Sequence, residues 1–390
     1  MTSSELPLRL SRDRIWLYAL IAAVFSSLPY IIVPARFAEM ATKNDFANYW
    51  SAGATAGTPA LTDPSRHAQW QNAHNLAVQP FVYPPAFAWV YAPFAHLPPL
   101  QAMYLEQLTM IALFAAAALL IARIYGFKPW FAIAAVFAWG PTLATIEDGQ
   151  NTGLSLVLAL AATLALVRRR DLMAGLAVGL LLYKPTDAFA LVVLLALRRE
   201  WRALAVTACC GAGWYAASAV ASGGDWGWPM QYAATIGAWY AVHSAGAQHG
   251  ILVFTIPTIL LSFGVSQTIA FCTAGLVFLA ALPLLARAPV REAASMAMFV
   301  GLTTAIHAWN YSAAMALPAL CFAMTSLREP WRTRLVLPAY IAAAIGSATI
   351  YGGPFLAVIC IGGTIGWMIA RYVAGAPALT FERRPPMSAR

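Results

Sequence analysis

The chain has 390 residues, 61% of them hydrophobic and only 10% charged, with a mean hydropathy of +0.67. A soluble domain carries roughly 25% charged residues, so the composition excludes one and indicates an integral membrane protein. The net charge of +9 does not point to nucleic acid as a partner, because basic residues of membrane proteins collect in cytoplasmic loops.

A crossing helix needs about 20 apolar residues. Arg9, Arg12 and Arg14 precede the apolar run 15–33, which is longer than a signal-peptide core of about 7–15 residues. It is expected to be a retained first span with a cytoplasmic N-terminus. The longest polar stretch follows at 34–99 and carries Glu39, Lys43, Asp45, Asp63, Arg66, His67 and His74. Its final part, YPPAFAWVYAPFAHLP at 83–98, is apolar and aromatic but short and rich in proline. Further spans are expected at 100–122, 129–146, 151–167, 203–221, 267–286, 293–307, 311–327, 335–350 and 355–370. Between Arg168-Arg169-Arg170 and Arg198-Arg199, the weaker region 172–197 is interrupted at Lys184-Pro185 and reads as two short helices going out and back.

The basic residues decide how 83–98 is placed. If it lies along the outer surface, only Arg36, Lys43, Arg66 and Lys184 of the 24 Lys and Arg stay off the cytoplasmic side. A crossing would put most of them on the wrong side. The expected fold is therefore all-α and polytopic, with about twelve transmembrane helices, interfacial helices in the first outer loop and both termini in the cytoplasm. It forms one membrane-embedded domain over 1–390, with tails at 1–14 and 371–390, in the cell membrane. Cys209, Cys210, Cys272, Cys321 and Cys360 lie in apolar segments without metal or CxxC spacing and are expected to be membrane-buried free thiols.

In this orientation the outer face holds the polar loops. These are 34–99, the short turn with Glu147, Asp148, Gln150 and Asn151, and 222–266 with Asp225, Trp226, Trp228, Tyr232, Trp239 and Tyr240. His307 and Tyr311 lie in a smaller outer turn. Cytoplasmic loops are short and basic, too small for a nucleotide-binding domain, and no P-loop, GxSxG, HExxH or dinucleotide fingerprint occurs.

Each singled-out residue admits two readings. Asp45, in Lys43-Asn44-Asp45-Phe46-Ala47-Asn48-Tyr49-Trp50, is either a helix cap or a carboxylate held for chemistry at the bilayer surface. Lys184 either snorkels beside a kink or offers an ammonium to a lipid phosphate in a polar cavity. Asp148-Gly149-Gln150-Asn151 is either a tight turn or a group that binds acceptor hydroxyls. His307 is either an interfacial histidine or a phosphate or sugar ligand. The aromatics of 226–240 read as an interfacial belt.

Taken in order, several segments resemble glycosyltransferase family eighty-seven. They are Asp45-Phe46-Ala47-Asn48-Tyr49, Phe81-Val82-Tyr83-Pro84-Pro85, Ala92-Pro93-Phe94, Gly149-Gln150-Asn151, and Ala174-Gly175 through Gly179 to Lys184-Pro185. Arg198-Arg199-Glu200-Trp201-Arg202 ends the set, which covers about 45–202. The resemblance implies a GT-C membrane fold and transfer of a sugar from a polyprenyl phosphate to a lipid or glycan hydroxyl at the outer face, as in polyprenyl-phosphate-mannose-dependent mannosyltransferases. It implies Asp45 as the catalytic aspartate, with Lys184 and His307 as candidates for the donor phosphate, and Arg66 joins them as a positive charge able to stabilise the leaving phosphate. Tyr49, Tyr83, Asp148, Gln150, Asn151 and Tyr311 are the corresponding candidates for acceptor or sugar. No metal or other cofactor is required by the sequence. A lipid-linked-sugar flippase or other secondary transporter is the alternative, although no internal repeat of the kind common in transporters is visible.

Overall fold

The computed structural model describes residues 41–244, 253–306, 308–327, 331–348 and 352–373. The expected first span at 15–33 lies outside them. The described residues are helical, with a single isolated bridge between Val253 and Trp309. The first loop holds α1 (Asp45–Thr55), α2 (Pro64–Ala73) and the one-turn α3 (Ala88–Tyr91). A long α4 (Pro99–Tyr125) follows, then α5 (Pro129–Phe137), α6 (Gly140–Glu147), α7 (Thr152–Val167), α8 (Asp171–Leu181) and α9 (Pro185–Leu197). The remainder comprises α10 (Trp201–Ala221), α11 (Trp228–Ser244), α12 (Ile256–Ser262), α13 (Gln267–Arg287), α14 (Val290–Thr304), α15 (Leu317–Ser326), α16 (Trp331–Ala348) and α17 (Gly352–Val373).

Four described helices are long and apolar enough to cross a bilayer: α4, α10, α13 and α17. A fifth crossing results if α5 and α6, bent by 65°, count as one span. This corrects the expectation of about twelve. Proline accounts for much of the difference: Pro99, Pro129, Pro141, Pro185 and Pro318 all stand in the first turn of a helix. Proline fits there because its missing N–H has no helical partner to lose. The same residues end the preceding apolar run, so 129–147 breaks before Pro141 and 172–197 breaks at Lys184-Pro185. At about 1.5 Å per residue, a helix such as α7 falls short of a hydrocarbon core of about 30 Å.

The 83–98 segment forms 3₁₀ turns at Pro85–Phe87 and Phe94–His96 around α3, with no helix of membrane length. The expected loop 222–266 is largely helical instead, containing α11 and α12. Cys321 and Cys360 are buried, whereas Cys209 and Cys272 lie on outward-facing helix surfaces, and all five cysteines are free.

One apolar core runs from Tyr49 to Cys360. α8 and α10 pack unusually closely, because a Cβ on Gly175 would come within 2.3 Å of the Ala203 carbonyl oxygen. Thr207 Oγ1 donates to the Gly175 carbonyl across this seam at 3.1 Å, as small-residue helix interfaces in membranes permit. The two arginine turns repeat one geometry. Arg169 and Arg199 each adopt left-handed backbone, with φ of 57° and 56°, one residue after the C-cap of α7 and α9. Glu292 on α14 is buried and satisfied by Arg371 of α17, whose Nε donates to it at 2.6 Å, and by Trp367 Nε1 at 2.9 Å. Loss of either partner would leave a buried uncompensated charge, which is strongly destabilising, so this contact ties α17 to α14.

Candidate active site

α1 begins at Asp45, preceded by the extended Asn44, whose side chain makes no capping bond. Asp45 therefore occupies the first helical position, not the cap, and its carboxylate is directed elsewhere. Three contacts fix the helix that carries it. Asn48 Nδ2 donates to the Pro80 carbonyl at 2.9 Å, and Trp50 Nε1 donates to the Leu97 carbonyl at 3.1 Å. Gly53 lies against α3 so tightly that a Cβ there would sit 2.5 Å from the Tyr91 carbonyl.

The turn between α6 and α7 lies across the start of α1. Gly149 has φ +63°, and a Cβ on it would fall 2.7 Å from the Phe46 Cβ. Only glycine meets both demands without strain. The next residue, Gln150, is buried and donates from Nε2 to Asp45 Oδ2. Its Oε1 accepts from the Tyr49 hydroxyl at 2.7 Å, and that hydroxyl meets the Tyr83 hydroxyl at 2.9 Å. The Tyr311 side chain lies near enough to Asp45 to favour its charged form. Tyr311 is held at its backbone, where its carbonyl accepts from Thr145 Oγ1 at 3.3 Å.

Lys184 stands in the break between α8 and α9 with its Nζ 6.0 Å from the centre of the Tyr311 ring. Tyr311 thus neighbours both an ammonium and the Asp45 carboxylate. A wall of aromatic rings backs the cluster. Tyr49 stacks on Tyr91 at 4.9 Å and Phe87 on Tyr183 at 4.1 Å, while the Tyr183 hydroxyl donates to the Asn151 carbonyl at 3.2 Å. Asn151 is buried, and its Nδ2 has no hydrogen-bond partner among the described residues.

Burial pushes the Asp45 carboxyl up to about 6, against the opposing pull of Gln150, Tyr311 and Lys184. Asp148 is pushed up to about 7, by burial and by the neighbouring Asp45 charge. The sequence singled out both residues, Asp45 for catalysis and Asp148 for acceptor or sugar, and the fold sets them close enough for the Asp45 charge to act on Asp148. Burial holds His67 down at about 4, so its ring is neutral at pH 7 and faces Ser51 Oγ at 3.2 Å.

The cluster thus contains Asp45, Tyr49, Tyr83, Asp148, Gln150, Tyr311 and Lys184, with Asn151 at its back. Arg66 is exposed and paired with Asp63 at 3.3 Å, at the start of α2, where Asp63 also caps the helix through Ser65 N and Arg66 N. His307 lies outside the described residues. Sequence reasoning missed Asp187, Tyr183, Tyr91 and Glu106. Two of these were legible: Asp187 follows Lys184 at the i+3 spacing that makes ion pairs, and Glu106 is the lone acid in the apolar α4. Glu106 is buried and accepts from the Tyr91 hydroxyl at 3.4 Å. Among the described residues, no three His, Cys, Asp or Glu side chains gather as metal ligands.

Residues 81–251 match the model of Glycosyltransferase family 87, a stretch of less than half the chain. The match supports a relation to GT-C-like glycosyltransferases. It starts later and ends further along than the resemblance at about 45–202. Tyr83, Asp148, Gln150, Asn151 and Lys184 lie within it, whereas Asp45, Tyr49 and Tyr311 lie outside. No curated protein and no solved structure matches the chain.

Proposed function

We propose that this protein is a membrane glycosyltransferase that moves a hexose, such as mannose, from a polyprenyl phosphate to a lipid or glycan hydroxyl at the outer face of the cell membrane. The observation that carries this reading is the pairing at the Tyr311 ring. A carboxylate released from capping and a buried ammonium both neighbour this ring, backed by tyrosines and amides able to bond sugar hydroxyls.

The acceptor hydroxyl attacks the anomeric carbon, and its proton passes to Asp45. The bond from the anomeric carbon to the phosphate oxygen breaks, and that oxygen leaves on phosphorus as an anion. A positioned general base contributes about 10²–10⁴-fold. The leaving phosphate is stable as an anion, so it needs positive charge nearby more than a proton, and Lys184 supplies that charge. Direct displacement inverts the anomeric centre, by analogy with inverting glycosidases. Tyr49, Tyr83, Gln150, Asn151 and Tyr311 orient sugar and acceptor, and Asp148 accepts a hydrogen bond from one of their hydroxyls. No step calls on a metal. Incubating the purified protein with a panel of polyprenyl-phosphate sugars and a membrane lipid extract, followed by mass spectrometry of the products, tests the reading and identifies the sugar. A panel that yields no glycosylated product with any donor contradicts it.

Two further results are expected. Asp45 must be ionised to accept a proton, and its pKa is raised to about 6. The rate constant kcat/KM should therefore be maximal above neutral pH and fall about tenfold per unit below pH 6. A profile flat down to pH 4.5 removes Asp45 from the base role. In a cysteine-free background, single cysteines at positions 63 and 226 should react with impermeant thiol reagents in intact cells, and those at 169 and 332 should not. Labelling of position 332 from outside overturns the orientation.

A further inference from the structure

Lys184 precedes α9 and Asp187 lies in its first turn, and the two side chains meet at 3.3 Å with exposures of only 13% and 8%. The contact is an ion pair without hydrogen-bond alignment. Both Lys184 Nζ and Asp187 Oδ2 are buried, and neither has a hydrogen-bond partner among the described residues. Buried polar atoms are ordinarily satisfied, and exceptions call for an explanation such as an absent ligand. An ammonium carries three donors, so Lys184 has donors to offer. Both residues line a cavity of about 40 Å³, well above the roughly 10–15 Å³ that one water occupies. Thr186 and Ser312 add polar groups to its wall, and Met298, Leu302 and Met315 make much of the rest apolar. Such a lining suits a phosphate carrying a hydrocarbon tail.

A phosphate seated here meets one cation and one anion, and its charge changes during the reaction. The donor is a phosphodiester with one negative charge. Transfer converts it to a phosphomonoester carrying about −1.5 to −2 at pH 7. Attraction to Lys184 alone would hold product more tightly than substrate and slow its release. Repulsion from Asp187 grows with the same charge and offsets that gain. We propose that Asp187 is a positioning residue. It holds Lys184 at the cavity in the empty site, and after transfer it weakens the hold on the phosphomonoester product relative to the phosphodiester donor. The inference rests on the assignment of Lys184 to the donor phosphate.

The test uses the full chain in lipid nanodiscs and two probes, a short-chain prenyl monophosphate and its methyl phosphodiester. In Asp187→Asn the monoester should bind about tenfold more tightly and the diester only about two- to threefold more tightly, as removal of a like charge predicts. The monoester should correspondingly become a stronger product inhibitor, with kcat reduced. Asp187→Glu, which keeps the charge, should preserve the wild-type ratio. The wild type gives a check independent of any variant's folding. Raising pH from about 5.5 to 7.5 removes the second phosphate proton and also ionises Asp45 and Asp148, whose repulsion adds to that of Asp187, so monoester binding should strengthen less than about twofold relative to the diester. Equal effects of Asp187→Asn on both probes, loss of the ratio in Asp187→Glu, or a tenfold pH-driven gain in the wild type would each overturn the proposal. If Lys184→Met leaves binding of both probes unchanged, the phosphate does not sit at Lys184 and the donor-site assignment itself fails.

Discussion

Asp45→Asn is expected to fold and insert like the wild type while transferring sugar about 10²–10⁴-fold more slowly. The variant separates chemistry from structure because Asp45 is not the cap of α1; Asn44 occupies that position. Asn retains an oxygen that accepts from Gln150, so the local hydrogen bond has a replacement, but its amide cannot take up the acceptor's proton. The folded-state pKa of Asp45 lies above its ordinary value, so ionising it opposes folding. That cost is absent at low pH and grows as pH rises through about 6. A neutral residue removes it, so the thermal midpoint of Asp45→Asn at pH 8 should match or exceed that of the wild type. Donor binding should survive, since the phosphate is assigned to Lys184. A well-folded Asp45→Asn protein with near-normal transfer moves the base role to Asp148, the other carboxylate in the cluster.

Lys184→Met is expected to weaken use of the lipid donor by about ten- to a hundredfold, the equivalent of a charge-assisted hydrogen bond of roughly 1.5–3 kcal/mol. The acceptor's KM should change little. The single substitution also strands Asp187 as a buried unpaired carboxylate, which in other proteins costs about 3–5 kcal/mol of stability. The double variant Lys184→Met/Asp187→Asn removes both charges together and should recover stability without recovering donor affinity. Lys184→Arg should rescue only partly, because a planar guanidinium does not present its donors as an ammonium does. An unchanged donor KM in a folded Lys184→Met protein returns Lys184 to a snorkelling role.

Much of this site was legible in the sequence because a polar residue in an apolar setting is conspicuous. Lys184 stood out against hydrophobic neighbours, Asp45 and Gln150 stood out in short polar segments beside apolar runs, and the fold joins Gln150 to Asp45 and sets Lys184 near Tyr311. The contact between Asp45 and Gln150 spans 105 positions, and nothing in the local pattern announces it. The capping alternative for Asp45 could be weighed only once the helix start was fixed, since helix signals place a boundary no better than a residue or two. The span count went wrong for a different reason. Hydropathy sums over an apolar run and is insensitive to a proline inside it, so 129–146 reads as continuous although the chain bends at Gly140-Pro141. The stretch 228–244 failed in the opposite direction, because its tryptophans and tyrosines read as an interfacial loop where the chain forms α11. Asp187 carried a signal, the i+3 spacing from Lys184, but the proline between them makes that pair easy to pass over as a helix break.

The most direct test of the central claim follows both halves of the donor in proteoliposomes containing purified protein, a doubly labelled polyprenyl-phosphate sugar and a lipid acceptor. The account predicts equal amounts of released polyprenyl phosphate and glycosylated acceptor, with the anomeric configuration inverted, only when the acceptor is present. Movement of the intact donor from one leaflet to the other, with no cleavage of the sugar–phosphate bond, would contradict it and identify a transporter instead.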